Sequence, residues 1–176
     1  KSVFAGAYAV ILSAESAAGD YPEEAVSCMG RIALTIEKEP SYRRMLSEDS
    51  TLPEATTADA ISAAAKQVAS TINAHAIVTY TGSGSTALRA SRERPETPLL
   101  VLSPYMGTSR RLALGLGLKC VHSTDAVDFP VMLENACGGC CYWGYAKLNE
   151  RNIFMAGILF GCSGRYNALR SSTVSE

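Results

Sequence analysis

Ala76-Ile77-Val78-Thr79-Tyr80-Thr81-Gly82-Ser83-Gly84-Ser85-Thr86 is the stretch on which the fold turns. Its first half is apolar and β-branched, and it predicts a buried strand from His75 to Thr81. Small residues follow, and a helix is expected over Ser83–Glu93. Strand, small-residue loop and helix form the repeating unit of a parallel α/β sheet. The loop also has a chemical reading. Free N–H groups at a helix start, with the positive end of its dipole, favour an anion. Small side chains let a phosphate reach the backbone, and the hydroxyls of Thr81, Ser83, Ser85 and Thr86 add donors. Gly82 and Gly84 lack the third glycine of a dinucleotide fingerprint, and no Gly-Lys-Ser/Thr follows, so the loop is neither that motif nor a P-loop. A tight turn with a Ser cap is the plainer reading of the same residues.

Working outward, the same alternation continues. Strands are expected over Pro98–Ser103, Lys119–His122, Ile153–Leu159 and Ala168–Val174, and helices over Ser109–Gly115 and Asp125–Trp143. Gly138-Gly139 is a weak point in the last helix. Phe160 to Asn167 is too short for a parallel crossover, so the final strand should run antiparallel at the sheet edge. Ahead of the first strand, Thr56-Thr57-Ala58-Asp59 has the form of a capping box. The helix behind it shows Ile61, Ala64, Ala65, Val68 and Ile72 on one face. These elements predict a three-layer α/β/α sandwich over residues 55–176, with a mostly parallel sheet and an antiparallel last strand.

Residues 1–46 read differently. Tyr8 to Leu12 suits a buried parallel strand. Gly19-Asp20-Tyr21-Pro22 breaks the chain, and Pro22 with Glu23 and Glu24 opens a helix. That helix carries Ala25, Val26, Met29, Ile32, Ala33 and Ile36 at helical spacing until Pro40 interrupts it. Ser47 to Pro53 is polar, and residues 47–54 read as a linker. A lone strand and helix cannot make a core. The chain has 176 residues and opens at Lys1. It is therefore expected to be a piece of a longer protein, or the ordered part of one.

The net charge of −1 argues against a nucleic-acid surface. No stretch reaches membrane-spanning length, no basic run suits a lipid surface, and no signal peptide opens the chain. The six cysteines are Cys28, Cys120, Cys137, Cys140, Cys141 and Cys162. Cys137 and Cys140 have zinc-ligand spacing, but tetrahedral zinc needs four ligands and no second pair supplies them. Free thiols, partly buried in a helix, and a reducing cytoplasmic compartment are expected.

Three further features carry chemistry. Phe160-Gly161-Cys162-Ser163-Gly164-Arg165 follows a second parallel strand, so both glycine loops should lie on one sheet edge. Arg165 can pair with a phosphate there, or be a solvated surface side chain. Ser13 and Glu15 follow the first apolar run. They either reach a catalytic face or close their own backbone and helix start.

Several runs resemble the pyruvate kinase family. Leu12-Ser13-Ala14-Glu15-Ser16-Ala17-Ala18-Gly19-Asp20-Tyr21-Pro22-Glu23-Glu24-Ala25-Val26 is similar to the junction of its last barrel strand and last barrel helix. Thr81–Ala87 with Ser91-Arg92-Glu93-Arg94-Pro95, then Thr108–Leu114, then Gly157–Asn167 resemble segments of its C-terminal domain, in the same order. The chain differs from common family forms at Ser85, Leu159 and Arg165-Tyr166.

The resemblance implies a terminal β/α element of a TIM barrel over 1–46 and the C-terminal allosteric and oligomerisation domain over 55–176. It implies an enzyme that transfers phosphate from phosphoenolpyruvate to ADP, giving pyruvate and ATP, with Mg²⁺ and K⁺. The metal ligands, the catalytic Lys and the phosphate-binding Arg of that family lie outside this chain, so no cofactor and no turnover are expected of it alone. Ser13 and Glu15 would stand at the edge of the catalytic site. Thr81, Ser83, Gly84, Ser85, Thr86, Gly161, Gly164 and Arg165 would hold a phosphorylated effector. Sugar bisphosphate, sugar monophosphate and nucleoside monophosphate are all open. A homotetramer is implied for the full-length enzyme. The competing readings are a stand-alone phosphometabolite-binding module without catalysis, and a small-molecule kinase acting at the glycine loops. The barrel-like element argues against the module, and the missing P-loop Lys and acidic metal ligands argue against the kinase.

Overall fold

A computed structural model describes residues 2–48, 53–126, 128–156 and 168–173. It divides the chain into two units, Lys1–Ser50 and Thr51–Glu176. In the first unit, helices α1 (Ala14–Ala17), α2 (Pro22–Glu37) and α3 (Pro40–Glu48) follow one another. Pro22 occupies the first turn of α2, with Glu23 and Glu24 beside it, as a helix start favours. Pro40 opens a new helix, and α3 extends over Ser47 and Glu48, which read as linker in the sequence. The strand expected over Tyr8–Leu12 does not form. Tyr8 is 57% and Ile11 89% exposed. A strand needs a neighbour for its backbone groups, and the described residues of this unit contain none. The apolar stripe of α2 likewise stays open, with Val26 and Ile32 more than half exposed and no residue of the helix buried.

The second unit runs α4 (Thr57–Thr71), β1 (Ala76–Tyr80), α5 (Ser85–Arg92), β2 (Leu99–Ser103), α6 (Met106–Leu112), β3 (Leu118–His122), α7 (Phe129–Tyr142), β4 (Arg151–Ala156) and β5 (Ala168–Thr173). The five strands lie in the order β3-β2-β1-β4-β5. The first four are mutually parallel, with Val78 opposite Leu100 and Phe154. β5 pairs antiparallel with β4, from Arg151 opposite Thr173 to Ala156 opposite Ala168.

Side chains alternate across a strand, so each sheet face acquires its own core. Ile77, Leu99, Ile153 and Met155 meet Ala65 and Ala69 of α4 and Ala90 of α5 on one face. Beside them Val101 packs with Ala87 and Leu112, which brings α6 to that face. Val78, Leu100, Leu102 and Phe154 meet Ala136 and Cys140 of α7 on the other. The helix surfaces are rich in alanine, which lets helix and sheet approach closely. The three-layer sandwich with its antiparallel last strand is therefore present.

The chain starts at central β1, winds out through β2 to β3, then returns across the opposite face by α7 to β4. The winding direction reverses between β1 and β4. In open α/β sheets that reversal leaves a crevice at the carboxyl ends of the two strands. The Thr81–Thr86 loop follows the first of them.

The Gly138-Gly139 pair does not interrupt α7. A methyl group at position 138 would meet nothing within 4 Å. Gly138→Ala is therefore expected to stabilise the fold by about 0.5–1 kcal/mol through helix propensity. Urea unfolding with an unchanged slope checks it, and a loss of stability would mean the α7 backbone there is not helical in solution.

Candidate functional site

The Thr81–Thr86 loop is held by its own residues. Gly84 sits in the left-handed region at φ 92° and caps α5. A Cβ at that position would lie 3.0 Å from a methyl of fully buried Leu112, so both conformation and space require glycine. Its N–H donates to Thr81 Oγ1 at 2.9 Å, inside the structure. The Ser83 and Ser85 hydroxyls face each other at 3.1 Å. Thr108 Oγ1 donates to the Gly82 carbonyl at 2.9 Å, and Arg111 donates to the Ser83 carbonyl at 2.5 Å. The Tyr105 ring lies over Gly82, 3.3 Å from where a Cβ would be.

The loop residues named from sequence are thus brought together, in two groups. Thr81 and the Gly84 N–H are spent on the turn itself. Ser83 and Ser85 are exposed, and Thr86 stands in the first turn of α5, where backbone N–H groups lack intrahelical partners. An arriving anion would meet these donors with the Arg111 guanidinium alongside. Gly161, Gly164 and Arg165 lie outside the described residues.

Further along the same sheet edge, the Tyr80 hydroxyl reaches Asp125 Oδ1 at 3.0 Å and accepts the Ala126 N–H at 2.9 Å. Burial pushes the phenol up to about 12, so it stays protonated across the physiological range. It fastens the segment after β3 to the end of β1.

Ser13 and Glu15 are together but serve each other. Ser13 precedes α1, and its backbone N–H donates to Glu15 Oε2 at 3.1 Å. The Glu15 carboxyl lies below its ordinary value, through its own backbone N–H first and that of Ser13 second. Both side chains are exposed.

A charged cluster escaped the sequence reading. Asp59 looked like the acidic member of a capping box. Its N–H does bond Thr56 Oγ1 at 3.2 Å, but its carboxylate is fully buried and accepts from Arg89, Arg92 and the Glu54 N–H. The Arg92 guanidinium above all holds that carboxyl below the usual range. Buried Glu93, 4.0 Å from Arg92, shifts the other way because burial disfavours its charge. Arg89 and Arg92 are three apart and share a helix face, which was the available signal. Their partner lies 33 residues from Arg92 and follows only from the packing of α4 on α5.

The described cysteines are free thiols: Cys140 is buried, Cys137 and Cys120 partly so, Cys28 and Cys141 exposed. Burial pushes Cys140 up to about 12, which keeps it a thiol. Cys162 lies outside the described residues. Among those described, no three His, Cys, Asp or Glu side chains gather as metal ligands, and no helix is long and apolar enough to cross a membrane.

Comparison with known proteins bears on the whole chain. Residues 59–170 match the family described as Pyruvate kinase, alpha/beta domain. A pyruvate kinase of Methylorubrum extorquens is 39% identical over 175 residues, covering 99% of this chain and 37% of that protein. One from Agrobacterium vitis is 36% identical over 169 residues, covering 96% of this chain and 36% of that protein. One from Staphylococcus epidermidis is 33% identical over 175 residues, covering 99% and 30%. The chain thus spans about a third of the length of these curated relatives. With its sheet order, its antiparallel last strand and the order of its motifs, it belongs to the pyruvate kinase family, of which it carries the C-terminal α/β domain.

Proposed function

We propose that this chain is the C-terminal part of a cytoplasmic pyruvate kinase, which passes phosphate from phosphoenolpyruvate to ADP. Its own task in that enzyme is regulation and subunit contact, within a homotetramer. Mg²⁺ and K⁺ would serve the whole enzyme. Their ligands would lie outside this chain. Phosphoryl transfer needs positioned metal and cationic groups. Exposed Ser13 and Glu15 supply neither, so the chain by itself is inactive. At most they help form the rim of the catalytic site.

The reversal of winding between β1 and β4 carries the regulatory reading. The Thr81–Thr86 loop follows β1, on the edge where open α/β sheets bind ligands, and Gly161–Arg165 comes after β4 in the sequence. The first offers two exposed hydroxyls, a helix start and Arg111. A phosphorylated metabolite suits that set of donors. Calorimetry with a hexose bisphosphate, a hexose monophosphate and adenosine monophosphate tests the reading. At least one should bind, and Ser83→Ala/Ser85→Ala, which removes the two exposed hydroxyls, should weaken it by about a hundredfold, since each charge-assisted bond contributes roughly 1.5–3 kcal/mol. Absence of binding at millimolar concentration, or affinity untouched by the double change, would mean that the loops are structural turns only.

A further inference from the structure

The carboxylate of Asp59 joins two segments that are distant in sequence. One is the chain entering α4, through the Glu54 N–H at 3.0 Å. The other is the last turn of α5, through Arg89 and Arg92. Glu54 adds its own carboxylate 3.8 Å from Arg92, on the outside of the cluster. Cap formation requires none of this, because Thr56 already satisfies the Asp59 N–H. An acidic residue in a first helical turn ordinarily stays in water, where it still favours the dipole. Here it is fully buried, and both its oxygens accept bonds from outside α4.

The opposite end of α5 is the glycine loop. Gly84 caps the helix, and its carbonyl accepts the Leu88 N–H at 3.1 Å. α5 has eight residues, a length of about 12 Å. A helix that short is not stable from its own hydrogen bonds and holds its place by contacts with its surroundings. Apolar contacts seat Ala87 and Ala90, and the charged contact at the far end is Asp59. Without the carboxylate, two partly buried guanidinium groups and one backbone N–H lose their acceptor together. The entering segment and the helix are then released by one event.

We propose that Asp59 is a positioning latch that couples the segment entering the C-terminal unit to the glycine loop, through α5. The coupling is a property of the fold and does not depend on what the loop binds. Motion of the entering segment would change the order of the loop, and occupation of the loop would change the hold on the entering segment.

Amide hydrogen exchange by NMR at neutral pH tests it without any ligand. The Glu54 amide reports the entering segment, the Gly84 and Leu88 amides report the loop end of α5, and the Val78 and Leu100 amides report the central sheet. In Asp59→Asn, exchange at Val78 and Leu100 should rise only with the general loss of stability, and exchange at Glu54, Gly84 and Leu88 should rise together by about tenfold or more beyond that. In Thr56→Ala, exchange should rise at Asp59 and not at Gly84 or Leu88, because the cap is lost and the latch kept. A rise at Glu54 alone would overturn the coupling. So would an equal rise at all five amides, which would mean a general loss of stability. If Asp59→Asn does not fold, Arg92→Lys keeps the charge and loses the fork. It should give a smaller rise at both ends, and a rise at one end only would overturn the proposal equally.

Discussion

Phe154→Ala should destabilise the C-terminal unit by about 3–5 kcal/mol, the range for an aromatic core truncation. Phe154 is 2% exposed on β4, next to central β1 and facing α7. It fills space bounded by Val78, Leu100, Leu102 and the small side chains Ala136, Cys140 and Ala146. The small neighbours have no spare length to reach into a vacated volume, and β4, held by β1 on one side and β5 on the other, cannot close over it. The lost transfer energy is thus joined by a cavity that persists. Phe154→Leu keeps most of the volume and should lose about 1–1.5 kcal/mol. Urea unfolding of the two variants beside the parent checks both numbers. A loss below about 1 kcal/mol for Phe154→Ala would show that the α7 face is loosely packed in solution.

Asp59→Asn should lower the thermal midpoint at neutral pH by about 10 °C, because it leaves buried cationic partners without their acceptor. The loss should also depend on pH. The folded-state carboxyl lies below its ordinary value of 3.8, with Arg92 the largest cause. Such a group binds fewer protons when folded. Its stabilisation is complete above the unfolded value and is lost as pH falls through the folded one. The gap between parent and variant should therefore be full at pH 7, narrow below about pH 5, and shrink further in stronger acid. Glu93 has the opposite sign: burial raises its folded value, so its contribution is complete at low pH and is lost as pH rises. Thermal melts between pH 3 and 8 decide the matter. A gap that stays constant over that range would show that the Asp59 charge is not what holds the cluster.

The apolar runs located β1, β2 and β4, because a buried parallel strand is apolar almost throughout and stands out from a polar background. The ends moved. α6 begins at Met106 where Ser109 was expected, and α5 at Ser85 where Ser83 was expected. Caps and turns set such ends, and they are weak signals beside a hydrophobic pattern. Tyr8–Leu12 went wrong for a different reason. Its apolar run satisfies strand propensity, but a strand exists only with a partner, and none stands beside it among the described residues of that unit. Of the candidate site, the small-residue loop and its helix start were legible, since glycine and hydroxyl residues between a strand and a helix are a local signature. The use of Thr81 to close the turn was not. That bond depends on a left-handed Gly84, which depends on Leu112 behind it, 28 residues on.

By itself the sequence determined the α/β class, the antiparallel last strand and the family. Each of these follows from local pattern, connection length or motif order, all of which are properties of neighbours along the chain. Tertiary structure alone decided which donors of the loop are free and which are spent, that Arg111 and Tyr105 stand beside it, and that Asp59 is buried between two arginines. Those are matters of burial and of distance between remote segments. A carboxylate at a helix start carries the same letter whether it faces water or a guanidinium, and only the packing of α4 on α5 removes the water and makes the pairing hold.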